Sequence, residues 1–462
     1  MYKKIISLFF VVSFAYSGQV SHHVDFPLFS IIPFIGILLS IAIIPLIDHH
    51  FWHKHYGKVS FFWGALFLIP LIMVDMSFAF EELILVTFTE YIPFIIILLA
   101  LFTIAGGIEV KGSLVGTPKL NTALIFLGTI LASWMGTTGA SMLLIRPLIR
   151  ANKYRVYNIH IVIFFILLVA NVGGALTPLG DPPLFLGFLN GIDFFWTTTH
   201  LFVPMLIHVV FLLLLFFLLD NYFYRKETDI DKKTKGDYVP VQIKGKINFI
   251  LIIGVVLSVL MSGTYDFGSF YISSIEIKIQ NVLRDFILLC LAIISWKLTD
   301  MKLRVSNGFS WFPILEVSKL FAGIFITIIP AISILKMGLD GPLYRIVELT
   351  TNSDGSQNPF MYFWLTGILS GFLDNAPTYL VFFNTAGGDA HALMNSFPKT
   401  LLAISSGAVF FGALTYIGNA PNFMVKSIAE ENGIKMPSFF GYIGWSAVIL
   451  APIFIVYSIL FF

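Results

Sequence analysis

Two short segments of this chain place a polar side chain where glycine and proline interrupt an apolar stretch. GALTPLGDPPL begins at Gly174 and contains Asp181, and GALTYIGNAPN begins at Gly412 and contains Asn419. Glycine and proline end a helix, and a helix end leaves backbone carbonyl and amide groups without partners. A carboxylate beside free carbonyl oxygens can hold a proton or a small hard cation such as sodium or lithium.

Two further interrupted stretches add hydroxyl, amide and carboxylate groups. The stretch at about 120–150 contains GTTGAS, and the stretch at about 360–386 contains GFLDNAP. These groups lack the soft ligands that transition metals prefer. The candidate residues for binding an ion or a substrate are Asp181, Asp374, Asn375, Thr177, Thr137, Thr138, Ser141, Asn171, Thr378, Thr415 and Asn419. The residues expected to break the helices are Gly180, Pro182, Pro183, Pro377, Gly418 and Pro421.

Simpler structural roles exist for both aspartates. Asp181 precedes Pro182 and could cap the following helix, since aspartate favours the N-cap and proline the first helical position. Asp374 could be a turn residue ahead of Pro377. A carboxylate inside a membrane costs about 2.5–3.5 kcal/mol on insertion scales, which favours a functional role for both.

The composition is that of a membrane protein. Of the 462 residues, 57% are hydrophobic and only 12% are charged, and the mean hydropathy is +0.89. Apolar runs of roughly 17–25 residues, the length of a spanning helix, recur along the chain. Long unbroken runs favour helices over a β-barrel. The predicted fold class is an all-α polytopic membrane protein with about ten full spans.

The predicted spans include two that contain the breaks, at about 158–190 and 400–425. The stretches at about 120–150 and 360–386 are predicted to be re-entrant hairpins, which survive at membrane depth where protein or water covers them. The other spans are expected at about 27–47, 59–77, 91–108, 196–220, 248–262, 282–297, 315–336 and 438–461.

Lysine and arginine residues set the predicted orientation because they accumulate in cytoplasmic loops. Seven of them lie between Arg225 and Lys246, which places this segment in the cytoplasm. By the same reasoning, the hairpin at 120–150 enters from the cytoplasm and the hairpin at 360–386 from outside. An acidic loop at 81–90 is expected outside.

The predicted organisation has four parts. Residues 1–17 have the basic start, short apolar stretch and small residues of a secretory signal peptide, with an uncleaved extra helix as the alternative. The first transmembrane half covers 18–220, a cytoplasmic linker covers 221–247, and the second transmembrane half covers 248–462.

The two halves repeat each other in sequence. A shift of 238 positions aligns Gly174–Leu184 with Gly412–Asn422, with six identities in eleven residues. The same shift aligns Thr137 with Asn375, so each half has a hairpin followed by a broken helix. An odd number of crossings separates the hairpins, which inverts the halves relative to each other. Inverted repeats with broken helices are typical of secondary transporters, whose substrate binds where the breaks meet.

Four motifs of the chain resemble the ion transporter superfamily, which includes sodium/proton antiporters, arsenite permeases and citrate or other carboxylate carriers. They are GTTGASMLLIRPLIRAN, NVGGALTPLGDPPLFLGFL, LSGFLDNAPTYLVFFN and ALTYIGNAPNFMVK. The nearest resemblance is to a bacterial branch labelled both sodium:proton antiporter and citrate transporter. It implies a bacterial inner-membrane protein, a homodimer, and a scaffold domain beside a transport domain that moves as an elevator. By position, it implies hairpin tips at 136–141 and 374–377 and breaks at 177–183 and 415–421.

One departure from the superfamily bears on the substrate. The dicarboxylate branch has Ser-Asn-Thr at its hairpin tips, where this chain has GTTGAS and LDNAP. The departure favours the antiporter branch. The predicted function is therefore sodium or lithium/proton antiport, in which Asp181 and Asp374 alternately hold a cation and a proton without a cofactor.

The alternative transport function is cation-coupled uptake of citrate or a related di- or tricarboxylate, with helix N-termini at the breaks holding the carboxylates. Positive charge would come from Arg146 or Lys426, whose ordinary role is to anchor the cytoplasmic surface. In either case the predicted partners are small ions or a carboxylate and the lipid bilayer, without nucleic acid.

Other classes of function have weaker signals. Intramembrane aspartyl proteases share a Gly-x-Gly-Asp motif, where this chain reads PLGD, so an enzyme is not predicted. DHHFWHKH at 48–55 could bind a metal, although histidines are common at a membrane edge. The chain shows no nucleotide-binding motif of an ATP-driven pump.

Overall fold

The computed structural model describes residues 26–227 and 240–462. The predicted signal peptide at 1–17 and residues 228–239 of the predicted linker lie outside the described residues. Within them, eight helices are long and apolar enough to span a membrane, and a bent helix pair provides a ninth span. The predicted all-α polytopic class is confirmed. These nine spans match nine of the ten predicted ones, and the remaining prediction, at the second broken helix, contains a shorter apolar helix at Pro398–Leu414.

The first half begins with three spans. The predicted acidic loop at 81–90 is wrong, because the third span runs through it as a helix with a π-helical turn at Val86–Tyr91. The glutamates there lie among apolar residues that keep the segment helical. A 3-10 turn at Leu28–Ile31 precedes α1 (Ile32–Ile47), followed by α2 (His49–Val74), α3 (Met76–Leu85) and α4 (Ile92–Ala105).

The first hairpin and the first broken helix follow. The hairpin consists of α5 (Pro118–Met135) and α6 (Thr137–Ala151), which meet at Gly136. The broken helix consists of α7 (Ile159–Leu168), a 3-10 turn at Val172–Leu176 and α8 (Pro182–Leu189). The half ends with α9 (Phe194–Tyr224).

The second half repeats this order. Its spans are α10 (Ile247–Thr264), α11 (Ile279–Leu298) and a pair, α13 (Phe312–Thr327) and α14 (Ile329–Lys336), bent by 40°. The second hairpin joins α16 (Pro359–Leu373) to α17 (Asn375–Thr385). The second broken helix contains α19 (Pro398–Phe411), a 3-10 turn (Gly412–Leu414) and α20 (Ala420–Glu431), and α21 (Phe439–Phe461) ends the chain. The connecting helices are α12 (Met301–Ser306), α15 (Tyr344–Leu349) and α18 (Ala390–Asn395), with a 3-10 turn at Gly338–Asp340.

Two short antiparallel ribbons add strands that the sequence analysis did not predict. β1 (Glu109–Lys111) pairs with β2 (Gln242–Lys244), and β3 (Ser269–Ile272) pairs with β4 (Ile275–Lys278). The first ribbon ties the segment after α4 to the end of the linker. Strands of three or four residues are too short to give a readable alternation of apolar and polar residues.

Each hairpin packs against the broken helix of the other half. Helix α17 of the second hairpin contacts α8, and helix α6 of the first hairpin contacts α20. The two contacts are related by the shift of 238 positions that relates the sequences. Both hairpin tips and both breaks therefore meet in one region.

A buried polar cluster holds the base of the first hairpin. Arg155 pairs with Asp220 of α9, with 2.5 Å between Nη2 and Oδ1, and both side chains are buried. His160 Nε2 lies 2.8 Å from the same Oδ1, and Asn121 Nδ2 donates to Oδ2 at 3.0 Å. The cluster connects α5, α7 and α9 through one carboxylate.

We expect Asp220→Asn to destabilise the protein by about 3 kcal/mol, because it removes the closer of the two carboxylates beside the buried Arg155 guanidinium and leaves Glu227, 3.9 Å from Nε. The apparent melting temperature of the purified protein in detergent measures this. The control is Asp354→Asn in an exposed loop, whose side-chain hydrogen bonds among the described residues are local ones to Ser356. Equal melting temperatures for the two variants would show that Asp220 does not stabilise the buried polar cluster.

Candidate functional site

The two hairpin tips have the same unusual backbone conformation. Gly136 has φ 80° and ψ 148°, and Asp374, 238 positions later, has φ 84° and ψ 137°. Residues other than glycine rarely adopt this backbone conformation, and holding one in it costs about 1–3 kcal/mol. The repeat is therefore present in the fold, and Asp374 occupies its glycine position at an energetic cost.

The two breaks are also built alike. The Thr177 hydroxyl donates to the carbonyl of Ser133 on α5, and the Thr415 hydroxyl donates to the carbonyl of Gly371 on α16 at 2.6 Å. Each hydroxyl also accepts from backbone N–H groups just after it, at 3.0–3.1 Å. These two predicted ligands therefore satisfy the broken backbone and fasten it to the hairpin of the same half.

Glycine is required at the breaks because the chain passes very close to itself. A Cβ atom on Gly180 would lie 2.1 Å from the carbonyl oxygen of Gly174, and one on Gly418 would lie 2.6 Å from that of Gly412. Pro182 and Pro183 then begin α8, and Pro421 lies in the first turn of α20. Pro377 lies in the first turn of α17, so the second hairpin turns ahead of it, at Asp374.

Asp181 accepts hydrogen bonds from three elements. Thr137 at the first hairpin tip donates to Oδ1 at 3.1 Å. From the second half, Asn375 at the other hairpin tip donates to Oδ2 at 2.6 Å, and Asn419 at the second break donates to Oδ1 at 2.9 Å. The carboxylate is only 2% exposed. The structure thus brings three of the predicted residues together around the buried carboxylate of a fourth.

Capping does not explain Asp181. It precedes α8 as the capping residue does, but its side chain makes no capping hydrogen bond. Its hydrogen-bond donors are uncharged, and among the described ion pairs none involves Asp181. A buried carboxylate without a cationic neighbour is costly unless it holds a proton or a cation.

Free oxygen atoms nearby suit a small cation. The Asn375 side-chain oxygen is buried and has no hydrogen-bond partner among the described residues. The same holds for the Ser141 hydroxyl, one turn below the first hairpin tip. Together with the Asp181 carboxylate and the Thr137 hydroxyl, they are hard oxygen ligands. The oxygen atoms are therefore of the kind that sodium, lithium or a proton prefers.

A cavity of about 90 Å³ opens beside Asp181. Thr138 and the rest of the first hairpin tip form its polar side, and α4 and the start of α13 form an apolar side with Phe102 and Ile314. This volume holds several water molecules. Neither lysine nor arginine is among the described residues that line it, so Asp181 is the only charge there.

Asp374 is placed differently from Asp181. It is half-buried, and its carboxylate accepts from the backbone N–H of Ala376 at 3.5 Å. Its backbone carbonyl accepts from the Thr378 hydroxyl at 2.7 Å, which gives that predicted ligand a structural partner. The described contacts of Asp374 are those of the turn residue that the sequence analysis kept as an alternative.

A chain of buried amides joins the two breaks. Asn419 Nδ2 lies 3.3 Å from Asn171 Oδ1, and Asn171 donates to Asn422 Oδ1 at 2.7 Å. Asn422 donates in turn to the carbonyls of Gly412 and Thr415. Asn422 was not among the predicted residues. The signal was its alignment with the apolar Leu184 in the repeat, since one half has an amide where the other has none.

The predicted sources of positive charge lie elsewhere. Lys426 pairs with Glu430 at 2.8 Å, and the Arg146 guanidinium packs against Gly308. As for the histidine segment at 48–55, no group of three or more metal-binding side chains occurs in the described parts of the chain. His53 instead stacks on Phe312 with 4.0 Å between ring centroids.

Comparison with protein families matches residues 23–462 to a family described as "Putative citrate transport". The match covers both hairpins, both breaks and all the residues around Asp181. No curated protein matches the chain.

Substitutions at the two hairpin tips test whether the backbone there is strained. We expect Asp374→Gly to stabilise the protein by about 1 kcal/mol or more, because glycine adopts φ 84° without the cost that aspartate bears. Gly136→Ala should destabilise it by a similar amount. Melting temperatures in detergent measure both effects. Gly444→Ala inside α21, where a Cβ meets no neighbouring atom within 4 Å, is the contrast for Gly136→Ala and should stabilise the protein by about 0.5–1 kcal/mol. A lower melting temperature for Asp374→Gly would show that the carboxylate stabilises the turn by more than the strain costs.

Proposed function

Because this chain belongs to the citrate transport family that its residues 23–462 match, we propose that it is a secondary active transporter in which Asp181 binds the coupling ion. The observation that supports this is the buried carboxylate with three uncharged donors from both halves and no described basic partner. Binding and release at such a group is the chemistry of a transporter rather than of an enzyme.

The transport reaction that the site supports best is exchange of sodium or lithium for protons. A bare carboxylate is too costly in the membrane interior, so Asp181 crosses either protonated or with a cation. Because both ligands use the same oxygens, one must leave before the other binds. Competition of this kind produces exchange, and the described lining of the cavity contains neither lysine nor arginine to hold an anion.

Cation-coupled uptake of citrate is the second candidate, and the family description favours it. In that case the ion at Asp181 would cancel the negative charge that would repel the substrate, and the first turn of α8 would face the substrate. The bacterial inner membrane, a homodimer and an elevator motion of the hairpins and broken helices complete the proposal.

Proteoliposomes distinguish the two candidates. With voltage clamped by an ionophore, a sodium or lithium gradient alone should change the lumenal pH if the protein is an exchanger. If it is a symporter, no flux should occur until citrate is added, and labelled citrate should then accumulate. The absence of both responses from folded, reconstituted protein would contradict the proposal.

Asp181→Asn should lower transport below about 1% of the wild-type rate, because an amide cannot exchange a proton for a cation. Asp374→Asn should cause a smaller loss, since the described contacts of Asp374 are those of a turn. Asp354→Asn in the exposed loop is the matched control and should transport at the wild-type rate. A wild-type transport rate for Asp181→Asn would show that Asp181 does not bind the coupling ion.

The pH dependence tests the competition itself. Protons occupy more of the Asp181 carboxylates as the pH falls, so sodium must displace them. The half-saturating sodium concentration should therefore rise by up to about tenfold for each pH unit on the acidic side. Initial rates at matched internal pH measure it. A half-saturating concentration independent of pH, with only the maximal rate changing, would argue for separate proton and sodium sites.

A further inference from the structure

A second cavity lies at the other end of α8, and we name it the outer cavity. Its volume is about 300 Å³, larger than that of the cavity beside Asp181. It lies where the ends of α8 and α10 meet the start of α11, on the side that the lysine and arginine distribution assigns to the outside. Its lining includes Phe188, Ser262, Lys278, Gln280, Asn281 and Arg284.

Arg284 places a buried cationic group at this cavity. Its side chain is 1% exposed, and Nε donates to Asp285 Oδ1 at 2.8 Å. Nη1 lies 3.4 Å from Asn281 Oδ1. Nη2 is buried and has no hydrogen-bond partner among the described residues. An unpaired buried guanidinium donor is unfavourable, and an anion in the cavity would supply the missing acceptor.

Two further features favour an anion there. Lys278 lines the cavity and is exposed, and α11 begins directly after it without a side-chain cap. The first turn of a helix attracts negative charge.

The exposed charges at the cavity are weaker than the buried one. Asp193 and Asp266 line it and are exposed, as Lys278 is, so water and salt screen all three, whereas Arg284 is buried. Asp266 also accepts from the backbone N–H of Gly268 at 2.9 Å, and Asp285 is paired with Arg284. The buried Nη2 donor is thus the least satisfied polar group of the outer cavity.

We propose that the outer cavity binds an organic anion with two or more carboxylate groups, such as citrate, from the outside solution. One carboxylate pairs with Arg284 Nη2, and another lies between Lys278 and the first turn of α11. The choice of a carboxylate among anions rests on the citrate candidate of the proposed function, whereas the anion site itself rests on Arg284.

Phe185 separates this site from Asp181. Its side chain lines the cavity beside Asp181, and the Arg284 guanidinium lies 5.9 Å from its ring centroid. Helix α8 has Asp181 at its start and Phe188 at the outer cavity, roughly 10 Å further on at 1.5 Å per residue. The anion would therefore be held by fixed positive charge close to the cavity beside Asp181. The described lining of that cavity contains neither lysine nor arginine.

Equilibrium binding of labelled citrate to purified Asp181→Asn protein in phosphatidylcholine nanodiscs tests the proposal, because this variant removes the central carboxylate and leaves the outer cavity intact. We expect saturable binding. Adding Arg284→Gln should weaken it by about tenfold or more, and adding Lys278→Gln by about threefold. Arg345→Gln, which changes an arginine outside the cavity on α15, is the matched control and should bind as tightly as its parent.

Melting temperatures show which variants fold, and Lys278→Gln keeps the test decisive if Arg284→Gln does not fold, because Lys278 is exposed. Unchanged citrate affinity in both folded variants would overturn the proposal, as would binding to wild-type protein that Asp181→Asn abolishes. Displacement of citrate by phosphatidylglycerol in the nanodisc would overturn it in favour of a lipid headgroup. Wild-type protein that binds citrate through Arg284 but transports nothing in liposomes would contradict the proposed function and leave this site standing.

Discussion

A broken helix inside a membrane must find partners for its backbone groups within the protein, and the rest of this structure depends on how it does so. Lipid offers no hydrogen bonds, so every free carbonyl and amide costs free energy. Here the Thr177 and Thr415 hydroxyls bridge each break to the neighbouring hairpin. Each half becomes a hairpin bonded to its own break and packed on the break of the other half. The site exists because these junctions meet.

Within this common frame the two halves differ at the positions that carry charge. Asp181 in one half corresponds to Asn419 in the other, and Gly136 corresponds to Asp374. The donors around Asp181 come mainly from the second half, which supplies Asn375 and Asn419. One half therefore provides the charge and the other provides the neutral groups that surround it.

Much of this could be predicted from the sequence. Apolar run length gave the class, and the shift of 238 positions predicted which tips and breaks meet. The sequence could not show that Thr177 and Thr415 serve the backbone while Thr137 serves the carboxylate, because the three threonines look alike until their neighbours are known. Asn422 and Arg284 were missed for the same reason. Their helices contain several other polar residues, and only the structure shows that Asn422 bonds to the second break and that Arg284 Nη2 is unpaired.

The hydrogen bond of 2.9 Å between Asp181 and Asn419 bears on the ancestry of the chain. These residues occupy equivalent positions, so an ancestor assembled from two identical copies of one half would have carried the same residue at both. Two aspartates there would have shared a single proton, and two asparagines would have had no charge. A site with one carboxylate and one amide requires two copies that differ in sequence. Joining the copies in one chain ensures that every half with the carboxylate meets a half with the amide.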